Sequence, residues 1–516
     1  MRLRDRLRSS SRIAGLLALV PLLLLLAPAL AVARPGGGDS YSGGGDSGGG
    51  GGDGAAGCIW LLVRLWIEFV IRYPLIGIPL TIVMVIAFLR WKAKNPQAAK
   101  QIWDSVQSGQ ARPSRATQPP SRPRSRDLDA VRASDPDFSV VLFEDFAYAL
   151  YARAHEARSD PKDLETLAPY LSDAARAEIA RRPPAGAPVR GVVIGAMRVV
   201  DLAVPPSPAP AGARVEVDLE IEANMTVGAP GSDHTQYVLE RWHLVRDAAV
   251  RTKAVPDLTS VHCPNCGAPF EADTQGRCQY CGQVVSGGRF DWSVESIGLT
   301  RFEERPPALT GTVEEVGTNW PTVFHPAVQA RRAELLRDDP QATDVALNAR
   351  LRVIYTALND AWTGLDLKAA RPYLSDNLFD YLRYWTDAYR SQGLRNVLTG
   401  MHVVETVIAK VIRDRHYDAV TFRVWASGRD STVREATGDV VAGDPNRDRP
   451  YSEYWTLIRG AGVRGAPHTD ANCPNCGAPL DQVNMAGECE HCGAKITRGG
   501  FDWVLSKIEQ DDSYSG

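Results

Sequence analysis

Four Cys-x-x-Cys motifs, arranged as two pairs, constrain this sequence more than any other feature. Eleven residues separate the two motifs of the first pair, and twelve separate those of the second. Motif pairs at this separation are typical of a zinc ribbon, in which four thiolates hold one zinc ion. We therefore predict two structural Zn²⁺ ions. The predicted ligands are Cys263, Cys266, Cys278 and Cys281 in the first set and Cys473, Cys476, Cys489 and Cys492 in the second.

Each cysteine set lies between two tryptophan-containing segments that we predict to be β-strands. The bracketing strands are Tyr237–Arg246 and Phe290–Ile297 for the first set, and Tyr454–Arg459 and Phe501–Ile508 for the second. The pentapeptide Pro169-Tyr-Leu-Ser-Asp173 also returns, as Pro372-Tyr-Leu-Ser-Asp376. The repeat distances are close to 200 residues, which indicates a duplicated domain rather than a solenoid. A zinc ribbon is thus predicted in the same loop of each copy.

The cysteine chemistry leaves one alternative open, because each set of four could instead form two disulfides. Four thiolate ligands would leave no open position on the metal, so a zinc ion here is expected to be structural. Phosphate contacts require clustered Lys and Arg. The ribbons are not basic, and the net charge of the chain is −3. Nucleic-acid binding is therefore the least favoured role.

The N-terminal region is predicted to carry the membrane attachment. Residues 1–33 have the layout of a cleavable signal peptide, with an uncleaved first span as the alternative. Residues 34–58 form a Gly-rich flexible spacer. Residues 59–91 combine an interfacial helix, or an extension of the span, with one transmembrane helix over the uncharged stretch 74–89. The role of the ninth cysteine, Cys58, stays open.

Basic residues directly after the predicted span set its orientation. Residues 92–130 form a linker rich in Pro, Ser and Arg, and most of it is expected to be disordered. The positive-inside rule places the chain after residue 91 in the cytoplasm. We therefore expect a single-pass protein of a bacterial cell membrane. The linker arginines could contact anionic lipid headgroups, or serve only to solubilise the chain.

The remaining sequence divides into two predicted modules. The first spans residues 131–300 with its ribbon at 261–288, and the second spans 341–510 with its ribbon at 471–499. A connector (301–340) joins them, and a tail (511–516) follows. The first helix is predicted to open at Asp135-Pro136, as an N-cap and a first-turn proline. A second helix is predicted with Asp160 as its cap, and further helices are predicted to start at Ser172 and Pro326 and to cover residues 344–362 and 375–392.

No sequence motif of a known catalytic site is present. The chain has no phosphate-binding Gly loop, no Gly-x-Ser-x-Gly and no His-Glu-x-x-His. Glu144, Asp145 and Asp380 fall on predicted helices, where a solvated face is expected. We predict a protein that is not an enzyme, although a site assembled only in three dimensions stays possible.

Each module resembles the C-terminal domain of subunit 44 of the mitochondrial inner-membrane translocase and its bacterial membrane-anchored relatives. The residues that carry this resemblance are Asp135–Phe138, Pro169–Asp173, Glu240, Trp242, Arg246 and Trp292, with Trp455 and Trp503 in the second module. It implies an α+β fold of two tandem nuclear-transport-factor-2-like (cystatin-like) cones. In each cone, helices would lie on a curved antiparallel sheet with a zinc ribbon inserted in the last hairpin.

The resemblance also implies a function. In the mitochondrial protein this domain docks on anionic membranes and acts as a scaffold for the import motor. We expect a membrane-anchored, non-enzymatic docking or scaffold protein whose modules bind protein partners or the membrane surface. A small-molecule-binding or enzymatic cone is the alternative, and it predicts a titratable cluster in a pocket inside the sheet.

Overall fold

The computed structural model describes residues 126–229, 231–253, 262–271, 277–304, 309 and 317–516. The predicted signal peptide (1–33), spacer (34–58), membrane segment (59–91) and linker up to residue 125 lie outside the described residues. Within the described ranges, no helix combines the length and the hydropathy that crossing a bilayer would require.

The fold is mixed α/β, with two antiparallel four-stranded sheets that follow one another along the chain. We call residues 126–304 the first half and residues 317–516 the second half. In each half the helices come first and the strands follow in sequence order, so each sheet is a simple meander. The cysteine sets lie between the third and fourth strands of the two sheets. This is the loop that the repeated tryptophan-containing segments predicted.

The first half begins with a short 3₁₀-helix, Leu128–Ala133. Its helices are α1 (Val140–Ala157), α2 (Pro161–Thr166) and α3 (Asp173–Ala180). Its strands are β1 (Val189–Ala203), β2 (Arg214–Val227), β3 (His234–Asp247) and β4 (Ser293–Glu304). Strand β2 alternates buried apolar residues with half-buried charged residues along most of its length, as expected for a sheet covered on one face.

The second half repeats this order, and its first three strands are longer than those of the first half. Its helices are α4 (Val328–Asp338), α5 (Asp344–Thr363) and α6 (Asp376–Ser391). Its strands are β5 (Leu394–Arg413), β6 (Tyr417–Arg434), β7 (Val440–Gly460) and β8 (Val504–Gln510). Helix α4 falls within the predicted connector, but its Val328 and Leu335 are buried in the core of the second half.

The repeated pentapeptide has the same structure in both halves. Ser172 caps α3 and Ser375 caps α6 by accepting hydrogen bonds from backbone amides of the first helical turn. The backbone amides of these serines donate to Val294 O and Leu505 O, both at 2.9 Å. The motif therefore ties the start of a helix to the last strand of its own sheet.

Four details differ from the sequence-based predictions. Helix α1 begins at Val140 with Ser139 as its N-cap, so Asp135-Pro136 does not open it. Trp292 and Trp503 directly precede β4 and β8 rather than lying within them. Helix α4 starts two residues after Pro326. The last linker residues, 128–130, belong to the 3₁₀-helix, because the side chain of Leu128 is buried in the core.

Asp135 has a different role from the predicted cap. Its carboxylate is buried and pairs with Arg246 Nη2 at 2.9 Å, and the Arg246 guanidinium lies 4.6 Å from the ring centroid of Trp292. The second half repeats this unit with Asp339, Arg459 and Trp503, at 2.7 Å and 4.5 Å. A buried Asp–Arg–Trp unit therefore anchors the strand before each ribbon.

A second buried contact is also repeated. Trp242 Nε1 donates to Glu240 Oε2 at 3.0 Å, and Trp455 Nε1 donates to Glu453 Oε2 at 2.9 Å. The Glu-x-Trp motif thus places an indole and its acceptor on the same face of the third strand, since residues two apart on a strand point the same way.

The two halves pack against one another. Ile412, Ala419, Ile458 and Val504 of the second half belong to the hydrophobic core that β1–β4 and α1–α3 form. Polar contacts accompany this packing: Lys507 Nζ lies 2.8 Å from Glu144 Oε1, and Asn377 Nδ2 donates to Asp145 Oδ1 at 2.7 Å. A pattern of residues along one half could not reveal this interface.

Candidate metal centres and the groove between the halves

Each Cys-x-x-Cys motif folds as a tight turn. In the first ribbon the amides of Gly267 and Gly282 donate to Cys263 O and Cys278 O, both at 2.8 Å, and the second ribbon has the same turns. Gly267 has φ +75°, in the left-handed region that favours glycine. This is why a glycine follows each motif in the sequence, and the turn brings both sulfurs of a motif to one point.

The four sulfurs of each set meet within 4.8 Å of one another. Closest approaches are 3.8 Å (Cys263–Cys281) and 4.0 Å (Cys266–Cys278) in the first set. They are 4.0 Å (Cys473–Cys492) and 3.8 Å (Cys476–Cys489) in the second. Zinc–sulfur bonds of about 2.3 Å in a tetrahedron place the sulfurs about 3.8 Å apart. A disulfide needs about 2.0 Å, so the geometry suits a metal ion.

The thiols of each set differ in acidity. Asn265 Nδ2 donates to Cys281 Sγ at 3.4 Å and lowers the pKa of that thiol to about 6. Asn475 acts in the same way on Cys492, whose pKa also falls to about 6. Burial raises the pKa of Cys263 to about 12. A bound cation would compensate the charge of four crowded thiolates, so metal binding is expected to release protons.

The two ribbons are packed differently. In the first, Cys263, Cys278, Phe270 and Val285 form a small cluster of their own, with Ala168 packed against it. The buried core residues of the second ribbon, including its Cys473 and Cys489, belong instead to the large core of the second half. The second ribbon is thus an integral part of its half, whereas the first is more peripheral.

A groove of about 1200 Å³ lies between the two halves. Helix α1 and strand β1 of the first half form one side, and helix α6 and strand β8 of the second half form the other. Thr497 and Arg498, at the end of the second ribbon, also line it. The groove exists only where the halves meet, which is why no motif in the sequence predicted it.

Asp145 lies in this groove, so the prediction of a solvated helix face was wrong for this residue. Burial, together with the charges of Glu144 and Asp376, raises the pKa of Asp145 to about 7. Its hydrogen-bond partner, Asn377, is 232 positions away along the chain. The sequence did not predict this contact, because the apolar periodicity of each helix shows which face is buried but not which distant helix packs against it.

A second polar cluster lies between α1 and the first sheet. Glu240 is fully buried and pairs with His155 Nε2 at 3.0 Å and with Arg182 Nε at 2.7 Å. Burial opposes ionisation of Glu240, but His155, Arg182 and Trp242 outweigh it and lower its pKa to about 2. None of these side chains lines the groove between the halves.

The comparisons with known proteins match part of this architecture. Residues 329–468 match the family model described as "Tim44-like domain". The match covers one copy, from α4 to eight residues past the end of β7, and stops before the second cysteine set. It supports the resemblance predicted for the second module. The comparison with curated proteins gave no match.

One of the solved structures that match shows only a low level of similarity. It is described as "Ntf2 like protein involved in plasmid conjugation", shares 7% sequence identity, and has a TM-score of 0.16. The alignment covers 72% of this chain and 97% of that chain. A TM-score this low does not show that the two proteins share a fold.

Proposed function

We propose that this protein is a membrane-anchored, non-enzymatic docking or scaffold protein. Its two modules bind protein partners or the membrane surface, in a role linked to protein transport or membrane-protein assembly. The observation that carries the proposal is the Tim44-like match over residues 329–468, which supports a membrane-associated scaffold role at the family level. The apolar segment and basic linker upstream support the same role.

The first half is proposed to be a second copy of the same cone-shaped module. The support is the buried Asp–Arg–Trp unit, the Glu-x-Trp contact and the serine cap tied to the last strand, each present once in either half. Repetition of buried polar contacts is stronger support than repetition of apolar patterns, since a buried ion pair requires both partners.

Each cysteine set is proposed to hold one structural zinc ion, supported by the sulfur distances described above. The ribbons would then present loops to a partner. Tyr280, between two ligands of the first ribbon, is 60% exposed, and Met485 of the second ribbon is 49% exposed. Exposed aromatic side chains on a rigid support are common anchors at protein interfaces.

The orientation and the partners are proposed on the basis of the sequence. The protein is proposed to span a bacterial cell membrane once, with the chain after residue 91 in the cytoplasm. The basic linker contacts anionic lipids, and a protein partner of unknown identity binds the modules. Nucleic-acid binding is disfavoured, because the ribbons carry no cluster of basic residues.

Cross-linking in intact cells tests docking and orientation together. A membrane-permeant lysine cross-linker is expected to join the protein to a partner, and an impermeant one is expected to give no such product. Replacing Tyr280 with alanine keeps the four cysteines and is expected to weaken capture roughly tenfold or more, since a central interface tyrosine contributes about 2 kcal/mol. Partner adducts obtained with the impermeant reagent would contradict the orientation. If the partner is still captured by Y280A and after zinc chelation, the ribbons are not part of the interface.

A small-molecule-binding or enzymatic domain is the second candidate. The buried His155–Glu240–Arg182 cluster favours it, because this is a titratable cluster between α1 and the first sheet. The large cavity, however, lies between the halves rather than inside a sheet. A bound metabolite retained by the wild type and lost in Glu240→Gln, measured by native mass spectrometry, would favour this candidate over the scaffold.

A further inference from the structure

The second ribbon is connected to the groove between the halves through Arg371. This side chain is only 2% exposed. Its Nε donates to the backbone oxygen of Met485, within the ribbon, at 2.8 Å, and its Nη1 donates to Leu374 O at 3.0 Å. Its Nη2 pairs with Asp376, the first residue of α6. One buried guanidinium therefore joins the ribbon to the start of a helix.

Asp376 receives two further contacts from the end of the ribbon. Thr497 Oγ1 donates to its Oδ1 at 3.0 Å, and Lys495 Nζ lies 3.0 Å from its Oδ2. The next residue, Asn377, donates to Asp145 of the first half. Asp376, Asn377, Thr497 and Asp145 all line the groove. The contacts thus form a continuous path from the metal-binding loop to the interface of the halves.

The path is tightly packed as well as hydrogen-bonded. Gly487 of the ribbon has φ +82°, and a Cβ built there would lie 2.4 Å from Thr497 Oγ1 and 2.8 Å from Arg371 Nη2. The ribbon backbone therefore lies directly against the two side chains that hold Asp376. A displacement of the ribbon backbone would therefore move the Thr497 and Arg371 side chains, because packed interiors leave almost no free volume.

In the described residues of the first half, which leave out 272–276 of its ribbon, the same motif does not form this path. The position before Pro169 holds Ala168, where the second half has Arg371 before Pro372. The carboxylate of Asp173, the counterpart of Asp376, is 98% exposed and pairs with Arg176 of its own helix at 2.8 Å. The first half is therefore a natural control for the second.

We propose that zinc in the second ribbon controls the groove between the halves, whereas zinc in the first ribbon does not. Metal binding orders the ribbon, and the ordered ribbon holds Arg371 and Thr497 around Asp376. These contacts fix the first turn of α6 and with it the Asn377–Asp145 contact. Without an ordered ribbon, the buried Arg371 Nε loses its acceptor, the backbone oxygen of Met485, and a buried donor without an acceptor favours local opening. This inference rests on the proposed binding of zinc by the second cysteine set.

Hydrogen exchange of the detergent-solubilised membrane-anchored chain tests the proposal, with zinc content measured on the same samples. Cys476→Ser and Cys266→Ser are matched variants, since both cysteines are exposed and hold the same position in their ribbons. C476S is expected to lose one zinc ion and to speed exchange in α6 and α1 by roughly tenfold or more. C266S is expected to lose one zinc ion with changes confined to residues 262–285.

Arg371→Ala separates the path from the metal, because it installs the residue that the first half has. This variant is expected to keep both zinc ions and still to show faster exchange in α6. Zinc loss in C476S with unchanged exchange in α6 and α1 would overturn the inference but not the metal site. Unchanged exchange in R371A, or groove changes in C266S equal to those in C476S, would also overturn it. A wild-type chain without bound zinc would overturn both proposals.

Discussion

Replacing Cys489 with serine is expected to remove one zinc ion per chain and to lower the melting temperature of the second half by roughly 10 °C or more. Cys489 is fully buried, and its sulfur lies 3.8 Å from that of Cys476. Structural zinc supplies on the order of 10–16 kcal/mol of apparent binding free energy to local folding. The second ribbon shares the core of its half, so the loss spreads beyond the loop. Each lost kcal/mol shifts the midpoint of a domain of this size by about 2–4 °C.

Zinc content and thermal unfolding followed by tryptophan fluorescence measure this effect. Cys278→Ser is the matched variant, since Cys278 is as fully buried in the first ribbon as Cys489 is in the second. It is expected to lose one zinc ion with a smaller shift, because the first ribbon has a separate cluster. Cys58→Ser should leave both ions bound. A C489S chain that retains two zinc ions would contradict the assignment of this ligand.

Replacing Arg246 with alanine is expected to destabilise the first half by about 3–5 kcal/mol, the usual cost of removing one partner of a buried ion pair. Arg246 is 1% exposed and pairs with Asp135 at 2.9 Å. Its Nη1 donates to Thr252 Oγ1 at 3.0 Å. The substitution leaves the Asp135 carboxylate buried without its counter-charge, and it also removes the stacking on Trp292.

Arg241→Ala is the control, since Arg241 lies on the same strand but on the exposed face. It pairs with Asp218 at 2.6 Å, and its side chain is 54% exposed, so the expected cost is below about 1 kcal/mol. Hydrogen exchange of β3 and β4 under increasing denaturant measures both variants. Equal effects of R246A and R241A would show that burial of the Asp135–Arg246 pair does not determine its contribution.

Local chemistry made part of this fold predictable from the sequence. The spacing of the cysteines and the glycine after each motif depend only on the geometry of one turn, and the structure brings each set of four together. The cap of α2 at Asp160 and the starts of α3 and α6 near Ser172 and Ser375 were predicted for the same reason, because a helix start depends on only the next few residues.

Long-range contacts account for what the sequence did not reveal. Asp135 looked like a helix cap, but its partner Arg246 is 111 positions away and outcompetes the local role. Asp145 was predicted to be solvated, because no residue near it in the sequence indicates that the second half packs over α1. The path through Arg371 was also hidden, since a buried arginine and a surface arginine look the same in a single sequence.

Zinc analysis of the purified membrane-anchored chain tests the central claim most directly. Elemental analysis would be combined with mass mapping of the cysteines after alkylation under denaturing, non-reducing conditions. The account predicts two zinc ions per chain and eight alkylated thiols among the two cysteine sets. A chain without zinc, with these cysteines joined in disulfides, would contradict the metal sites and the cytoplasmic orientation together.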